Sequence, residues 1–333
     1  MPVMPHEIRM SNTHNSTENQ QFQRLNFRLA IGYGLANLAV LLVLPILAAQ
    51  NVGGFGSHWA WLALPVTLSS NGFWALLHEA IHNLFASDRN LNRRAGRFMA
   101  ILFGSSYRML RFGHLTHHRF NRHPLDRPDC FDPAQSSPVL ARCRFFAETL
   151  GGLYLIEILT PLFYWLPRPI ILRLLDRVYA GEEPRLKQLR QLAHQSLGSP
   201  RAIAEIRQDA AAALLLYALS AWLWAPLWPV LVGFILIRGF LISFLDNVYH
   251  FRTPVDRPDF AYNLRLAQPL QALILNMNFH RTHHHHMHLA WWQLPDHFRR
   301  SGEVYDGNYA LAALAQLRGP APIGVLISSK PTP

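Results

Sequence analysis

The sequence predicts an all-α integral membrane protein with four transmembrane helices arranged as two hairpins. Half of the 333 residues are hydrophobic, and they form long runs separated by arginine-rich stretches, as in multi-pass membrane proteins. The net charge of +11 arises between these runs, where basic residues set topology and contact anionic lipid. Because no nucleic-acid-binding motif occurs, we expect the lipid bilayer as a partner and no nucleic acid.

The first hairpin follows a polar segment, residues 1–26, that lacks the apolar core of a signal peptide. Residues 29–49 contain no charge, and such a run can cross roughly 30 Å of hydrocarbon at about 1.5 Å per residue. Basic residues precede this run and the linker after it is uncharged, so the N-terminus is expected in the cytoplasm. Residues 59–77 return as the second span, and their helix should run straight on into His78 and His82.

The middle of the chain is predicted to stay on the cytoplasmic side of the membrane. Residues 86–127 mix arginines with a short apolar piece, which indicates an amphipathic helix on the inner surface. Residues 145–166 are long enough to cross, but Glu148, Glu157, a glycine pair and a proline interrupt them. A single crossing would also separate the histidine clusters described below, so we expect an interfacial or re-entrant segment. Residues 168–209 are charged and helical in pattern, and we expect them to form a cytoplasmic cap.

The second predicted hairpin consists of residues 210–228 and 229–248, which are joined by almost no loop. Arg238 and Asp246 lie inside or at the edge of the last span, where charge is costly, so they should face protein or a polar cavity. This topology places both termini in the cytoplasm. The predicted organisation is therefore a polar tail, a membrane domain and a disordered Pro/Gly-rich tail, at residues 1–26, 27–317 and 318–333.

Three histidine clusters lie on the predicted cytoplasmic side. The first has the spacing H-x-x-x-H and the other two have the spacing H-x-x-H-H. On a helix, histidines at i, i+3 and i+4 present two or three imidazoles toward one point. Four-coordinate zinc needs only four ligands, so this larger set argues for two ions, and nitrogen ligands with open positions fit iron that activates oxygen. The residues are His78, His82, His114, His117, His118, His280, His283 and His284.

In the number, spacing, order and side of these boxes, the chain resembles the membrane fatty acid desaturase and hydroxylase superfamily over roughly residues 60–295. The resemblance implies that the cap and the helices hold a histidine-rich di-iron site, with O2 as co-substrate and two electrons from an external donor. It also implies an acyl or other long apolar substrate in an internal tunnel. It adds His250 as a ninth ligand and Asn276 as a participant through water, with Glu79 as a nearby carboxylate or proton relay.

The activity implied by the resemblance is oxidation of an unactivated C–H bond in a fatty acid or fatty acyl chain, as in a desaturase. The boxes do not separate desaturation from hydroxylation, oxidative decarboxylation to a terminal alkene, or carotenoid oxidation. Phe73 and Trp74 lie one turn before His78 and are candidates to line the tunnel. We expect a small ferredoxin-type or cytochrome-type protein and its reductase to supply the electrons. Residues 168–209 are either the docking surface for that carrier or only a solvated cap.

Other interpretations of the histidines stay open from the sequence. The first box also matches H-E-x-x-H, the zinc metalloprotease motif in which Glu79 would be the general base, but both H-x-x-H-H boxes would then be unexplained. Three more histidines follow the third box, at 285, 286 and 288, and allow a shifted register, although the four-residue spacing from Asn276 favours a start at His280. Isolated histidines are expected to be solvated or packed, namely His6, His14, His123, His194 and His297.

A six-residue motif, P-x-D-R-P-D, occurs at residues 124–129 and again at residues 254–259. Its proline and aspartate content indicates turns. Aspartates close to metal ligands also commonly accept a hydrogen bond from a ligand imidazole and fix its tautomer. Both roles are open for the four aspartates of this motif.

Overall fold

A computed structural model gives the fold of residues 15–49 and 55–327. The chain is mostly helical, as the sequence predicts. The helices are α1 (Asn15–Leu38), α2 (Leu44–Ala49), α3 (Ala63–Leu68), α4 (Ser70–Ile81), α5 (Arg89–Phe103), α6 (Tyr107–Phe120), α7 (Pro138–Ala147), α8 (Leu153–Leu159), α9 (Arg168–Val178), α10 (Pro184–Leu197), α11 (Pro200–Leu223), α12 (Trp228–Asn247), α13 (Gln268–Leu273), α14 (His280–His285), α15 (Leu294–Arg300) and α16 (Tyr309–Ala315). The short strands are β1 (Cys130–Phe131), β2 (Leu264–Arg265), β3 (Gly307–Asn308) and β4 (Ala321–Pro322), and they pair in parallel as β1 with β4 and β2 with β3.

Two predicted spans, 29–49 and 229–248, coincide with helical segments that are long and apolar enough to cross a membrane. The predicted second span, 59–77, forms two helices that meet at 45°; the second of them, α4, continues into His78 and ends at His82, as predicted. The hydroxyls of Ser69 and Ser70 bond to carbonyls three residues back, and such bonds compete with the backbone ladder and bend helices. In the described residues the qualifying segments are Glu18–Ala49, Pro138–Trp165 and Ala225–Asn247, with His58–Leu68 plus Ser70–Ile81 as one bent span.

The segments around the predicted third span differ from the expectation. Residues 210–228 are not among the qualifying segments, because α11 begins at Pro200 and its first turns carry charged side chains. Pro138–Trp165, which we expected not to cross, qualifies by length and composition. This segment is kinked at Gly151, which has a left-handed φ of 134°. An added Cβ at Gly151 would lie 3.6 Å from the backbone of Gly239 in α12, so two small residues allow these segments to approach closely.

We predict that residues 145–166 enter and leave the membrane on the same side. The test uses single cysteines at Ser136 and Arg168, which flank the segment, in a chain whose two native cysteines are replaced by serine. Both positions should react with a membrane-impermeant maleimide only from the cytoplasmic side. Ala225→Cys, at the tight turn before α12, is the control and should react only from the opposite side. Labelling of the two flanking positions from opposite sides would show a single crossing and contradict the prediction.

Arg238 of α12 is fully buried and joins several helices. Its guanidinium donates to neutral oxygens on α1, α4, α5 and α11, and it lies 4.2 Å from the centre of the Phe234 ring. The prediction that the Arg238 side chain faces protein is therefore confirmed. The acceptors are Asn37 Oδ1, Ser70 Oγ at 3.3 Å, the Leu102 carbonyl at 3.3 Å and the Tyr217 hydroxyl at 3.3 Å.

Substitution Arg238→Met should lower the free energy of unfolding by about 3 kcal/mol, because buried acceptors left without a donor cost about 1–3 kcal/mol each. Methionine keeps much of the side-chain length, so the loss reports the hydrogen bonds rather than a large cavity. Denaturant unfolding in mild detergent measures the change. Arg300→Met is the matched control, because the Arg300 side chain is 76% exposed, and it should change stability by less than about 0.5 kcal/mol. Equal stability of the two variants would contradict this role of Arg238.

The segment 168–209 is helical, as predicted, and packs over α6. Its helices α9 and α10 and the first half of α11 share an apolar cluster that includes Ile171, Leu175 and Ile206. Met109 and Phe112 of α6 pack against that cluster. The cap therefore covers the helix that carries the second histidine box, whereas its cytoplasmic location stays a prediction.

Both predicted tails contain residues with regular structure. Residues 1–14 and 328–333 lie outside the described residues, but α1 already begins at Asn15, inside the predicted polar tail. The predicted disordered tail is structured over residues 318–327, where β4 pairs with β1 and the Leu326 carbonyl accepts a hydrogen bond from the Val255 N–H at 2.8 Å. This order comes from backbone pairing with distant segments, which residue composition does not reveal.

Candidate metal centre

Four parts of the chain bring nine histidines together. The end of α4 carries His78, and His82 caps that helix. Helix α6 carries the second box, the turns after α12 carry His250, and α14 carries the third box. The buried Asn263 holds α14 in place, because its side chain accepts from the Thr282 N–H at 3.2 Å and donates to Glu303 Oε2 at 2.7 Å.

The nine predicted ligands form two groups. In each group the potential ligand atoms all lie within 4.8 Å of one another. The other histidines of the described residues belong to neither group. The five-histidine group contains His78, His82, His114, His118 and His283, and the four-histidine group contains His117, His250, His280 and His284.

Each H-x-x-H-H box is divided between the two groups. The i and i+4 residues of the second box join the five-histidine group, whereas its i+3 residue, His117, joins the four-histidine group. In the third box, the i and i+4 residues join the four-histidine group, whereas the i+3 residue, His283, joins the five-histidine group. Positions i and i+4 differ by about 40° around a helix, whereas i+3 and i+4 differ by about 100°. Two imidazoles of each box therefore point toward one site, within the expected two or three, and the third points toward the other site.

The spacing of the ring nitrogens fits metal ions. Two nitrogens that bind one ion at about 2.1 Å, roughly 90° apart, are about 3.0 Å from each other. His114 Nε2 lies 2.9 Å from the Nε2 atoms of both His82 and His118. In the other group, His250 Nε2 lies 3.1 Å from the Nε2 atoms of both His117 and His280. Among the described residues, neither ring nitrogen of the buried His78 has a hydrogen-bond partner, so both are available to an ion.

One aspartate of the repeated six-residue motif orients a histidine of the four-histidine group. Asp126 Oδ2 lies 2.7 Å from His117 Nδ1, which leaves Nε2 free for an ion. Asp129 has a structural role instead, because it forms a buried ion pair with Arg122 at 2.8 Å. In the second copy, Asp259 Oδ2 lies 3.6 Å from Nε2 of His285, which belongs to neither group.

The electrostatic environment keeps most of these imidazoles neutral. Burial, and then the neighbouring imidazoles, lower the pKa values of five of them, namely His114, His118, His280, His283 and His284. Neutral rings have the free lone pair that a metal requires. Burial also lowers the pKa of His117, but the Asp126 carboxylate outweighs it, and the pKa ends above the usual histidine value.

The two other predicted participants both contact the backbone of Trp291. Glu79 is buried and hydrogen-bonds to the backbone of Trp291, whereas its Oε2 atom has no partner. Asn276 donates to the Trp291 carbonyl at 2.9 Å and accepts from Gln271 at 3.1 Å. The Trp291 indole in turn donates to the buried Asn26 of α1 at 3.0 Å. The structure therefore links these side chains to each other through Trp291.

Two cavities lie beside the histidines. One, of about 280 Å³, is lined by Trp74, by His117 and His250, and by the acidic Glu157 and Asp246. The second, of about 450 Å³, is mainly apolar and lies between α6 and the cap; it shares Leu110, Gly113, Ile156 and Glu157 with the first.

The cavity lining matches the predicted tunnel only in part. Trp74 lines the cavity beside the histidines, whereas Phe73 is buried in the core against Phe103 and lines neither cavity. Asp246 faces a polar cavity, as predicted. Glu157 lines both cavities, whereas the sequence predicted only that it interrupts an apolar segment. The cost of a charge inside such a segment is the signal that indicates a further role.

A predominantly helical, membrane-type fold with two histidine groups that could hold metal defines a class of multi-pass membrane metalloproteins. The sequence model of the family described as "Fatty acid desaturase" matches residues 55–313. The chain therefore belongs to the fatty acid desaturase family, which implies an oxidoreductase. No curated protein and no solved structure matches the chain.

Proposed function

We propose that the chain is a membrane-bound, O2-dependent di-iron oxidase that acts on an unactivated C–H bond of a fatty acid or fatty acyl chain, with desaturation as the outcome. The supporting observation is the division of nine histidines into groups of five and four, together with a mainly apolar cavity that adjoins the cavity lined by His117 and His250. The family match supports fatty acid as the substrate class.

The donor set favours iron over zinc. Zinc sites in proteins are four-coordinate as a rule, whereas the five-histidine group offers five nitrogen donors. Imidazole donors suit iron, and the four-histidine group leaves positions open in a six-coordinate ion. When bound, the two irons would supply reduction of O2 with two external electrons and removal of hydrogen from the substrate.

The side chains around the site hold, orient and shield the reactants. Asp126 fixes the tautomer of His117, and the buried rings among the ligands, which include His78, His250 and His283, limit access of bulk water. Glu79 is a candidate proton relay, because one of its buried oxygens has no partner. Asn276, which donates to the carbonyl of the same residue, Trp291, is proposed to act beside it through water.

The substrate chain is proposed to lie in the apolar cavity and to reach the histidines through the residues that both cavities share. Leu110, Gly113 and Ile156 give an apolar passage between α6 and α8. Trp74 borders the end close to the histidines. This arrangement would place a C–H bond beside the metals and keep most of the acyl chain away from them.

The test is mass spectrometry of lipids, free acids and volatile hydrocarbons from cells with the chain, with its His117→Ala variant, or without it. An acyl product with one more double bond, made only by the active chain, would establish desaturation. A hydroxylated acid or a terminal alkene would establish the alternative outcomes. No change in any fatty-acid-derived product would overturn the acyl assignment and favour a carotenoid or sterol-like substrate.

The zinc metalloprotease is the competing activity from another class. It would use Glu79 as the general base between His78 and His82, but those two histidines lie in one group with three from the other boxes. Stoichiometric zinc, with proteolysis that needs Glu79 and tolerates His117→Ala, would favour the protease. Two irons per chain, lost in ligand variants, would favour the oxidase.

The electron donor is proposed to be a small acidic carrier, of ferredoxin or cytochrome type, that docks at a basic groove. This groove, of about 560 Å³, lies between α5, α6 and the cap and contains a single acidic residue, Glu205. Opposite charges of this kind accelerate encounter between proteins. The arginines that line it are Arg89, Arg93, Arg108, Arg111, Arg119 and Arg201.

We predict that the double variant Arg89→Glu, Arg201→Glu is reduced about 10-fold more slowly by an acidic carrier at low ionic strength. Both residues lie in the first turn of a helix, where glutamate is favourable, so folding should be preserved. The difference should shrink as salt screens the charges. Stopped-flow reduction measures the rates. Arg173→Glu, Arg185→Glu on the exposed cap is the control, and an equal loss there would contradict docking at the groove.

A further inference from the structure

Three histidines outside the two groups lie beside one another on the surface. His286 follows α14, His288 comes two residues later, and His297 belongs to α15. His286 and His297 are half-buried and His288 is exposed. In the part of the chain that the structure describes, no protein hydrogen bond or ion pair engages these rings. The sequence alone suggested that His297 is isolated, whereas the fold places it against the histidine run.

The spacing of these rings resembles that within the five-histidine group. The ring centres of His286 and His297 are 4.2 Å apart, and those of His286 and His288 are 6.0 Å apart. Within the five-histidine group, the ring centres of His78 and His114 are 4.4 Å apart, and those of His114 and His283 are 6.4 Å apart. Binding of one ion by all three imidazoles needs rotation of these side chains, which the exposure of His288 permits.

We propose that His286, His288 and His297 form a third, solvent-accessible metal site that binds a divalent first-row transition ion. Imidazole donors suit Fe²⁺, Zn²⁺, Cu²⁺ and Ni²⁺, and three of them leave positions for water. Among the described residues, no arginine or carboxylate side chain bonds to these three rings. An ion from solution therefore has direct access to the exposed His288. The remaining positions hold water that a second ligand can displace.

The site is positioned to capture ions for the buried centre. His286 lies two residues after His284, and its N–H bonds to the Thr282 carbonyl at 3.0 Å within the same turn of chain. The ligands of the buried centre that α14 provides include two that are almost fully shielded, since His283 is 1% exposed and His280 is 3% exposed. An ion held at the surface cluster has a raised local concentration beside that centre. This role in loading rests on the proposed metal centre, whereas binding of the third ion does not.

The experiment titrates metal-free protein, prepared without a polyhistidine tag, with Fe²⁺ under anaerobic conditions and counts bound ions after removal of excess metal. The wild-type chain should bind three ions, and the variants His297→Ala and His288→Ala should each bind two. His194→Ala is the matched control, because that histidine bonds to Asp176 on the cap, and it should still bind three. Loading of the buried centre at limiting Fe²⁺ should be about 5-fold slower or more in His297→Ala.

The outcomes separate this proposal from the proposed function. Three ions in His297→Ala and in His297→Gln, with unchanged loading rates, would overturn the third site. Two ions in the wild type, reduced to one in His283→Ala, would also overturn the third site but would support the proposed buried centre. Three ions in His283→Ala would instead count against the buried centre. Circular dichroism of each variant distinguishes loss of an ion from loss of fold.

Discussion

Substitution His283→Ala is expected to remove one of the two buried irons and to reduce oxidase activity by a factor of about 10³ or more. His283 comes from the third box but joins the five-histidine group, where its Nε2 lies 3.1 Å from that of His118. Its ring centre also lies 4.5 Å from that of His78. His283 is the one ligand that α14 contributes to the five-histidine group. Its loss therefore leaves that group without a ligand from α14. Catalysis that depends on both ions should then fail as a unit.

Iron content per chain and product formation measure this effect. His285→Ala is the matched control, because it is the same substitution two positions later in the same helix and lies outside both groups. The control should keep both irons and most of the activity. If His285→Ala loses an iron and His283→Ala does not, the third box has the shifted register, and the assignment of its ligands is wrong.

The helical spacing of the boxes accounts for most of what the sequence revealed about the site. Histidines at i and i+4 on α4 and α6 lie on one helix face, and the structure brings both pairs into one group. The same geometry turns His117 about 100° from His118, which explains why it joins another group. Spacing does not predict which histidines from different boxes share a group, because this depends on how α6 and α14 pack against each other.

Features that depend on distant contacts were the ones that local pattern could not reveal. His250 lies in no box, and its position was implied only by the resemblance. Asn263 has no motif, yet it fixes α14 through Thr282 and Glu303. The ordered residues 318–327 depend on backbone pairing with β1, although their composition indicates disorder. Each of these contacts joins segments that are far apart in sequence, where composition and periodicity carry no information.

The bent second span shows how local chemistry can alter a correct span prediction. Hydropathy indicates that residues 59–77 are apolar enough to cross, and the bent pair passes the same criterion. The hydroxyls of Ser69 and Ser70 redirect the helix just before the first box. The axis of helix α4, which carries His78, therefore differs in direction from that of α3. The position of the first box thus depends on two serine side chains as well as on span length.

Substitution Asp126→Asn is expected to weaken iron binding in the four-histidine group by about 10-fold to 100-fold, the usual effect of removing the partner of a ligand histidine. Asparagine still offers an oxygen to His117 Nδ1, so the loss reports the negative charge more than the geometry. Asp126→Ala removes both and should have the larger effect. Asp259→Asn, an exposed aspartate of the second motif copy, is the control and should leave iron binding unchanged.

The pH dependence distinguishes the charge of Asp126 from a general structural role. In the wild type, the carboxylate raises the pKa of His117 above the usual value, so a proton competes with the metal as pH falls through that raised pKa. In Asp126→Asn the pKa of His117 falls, and proton competition begins only at lower pH. The deficit in iron affinity of the variant should therefore be largest above the raised pKa and should shrink as pH falls toward about 6.5, the usual histidine value. A deficit that is constant with pH would show that Asp126 acts only as a structural contact, because only its charge couples the proton on His117 to the metal.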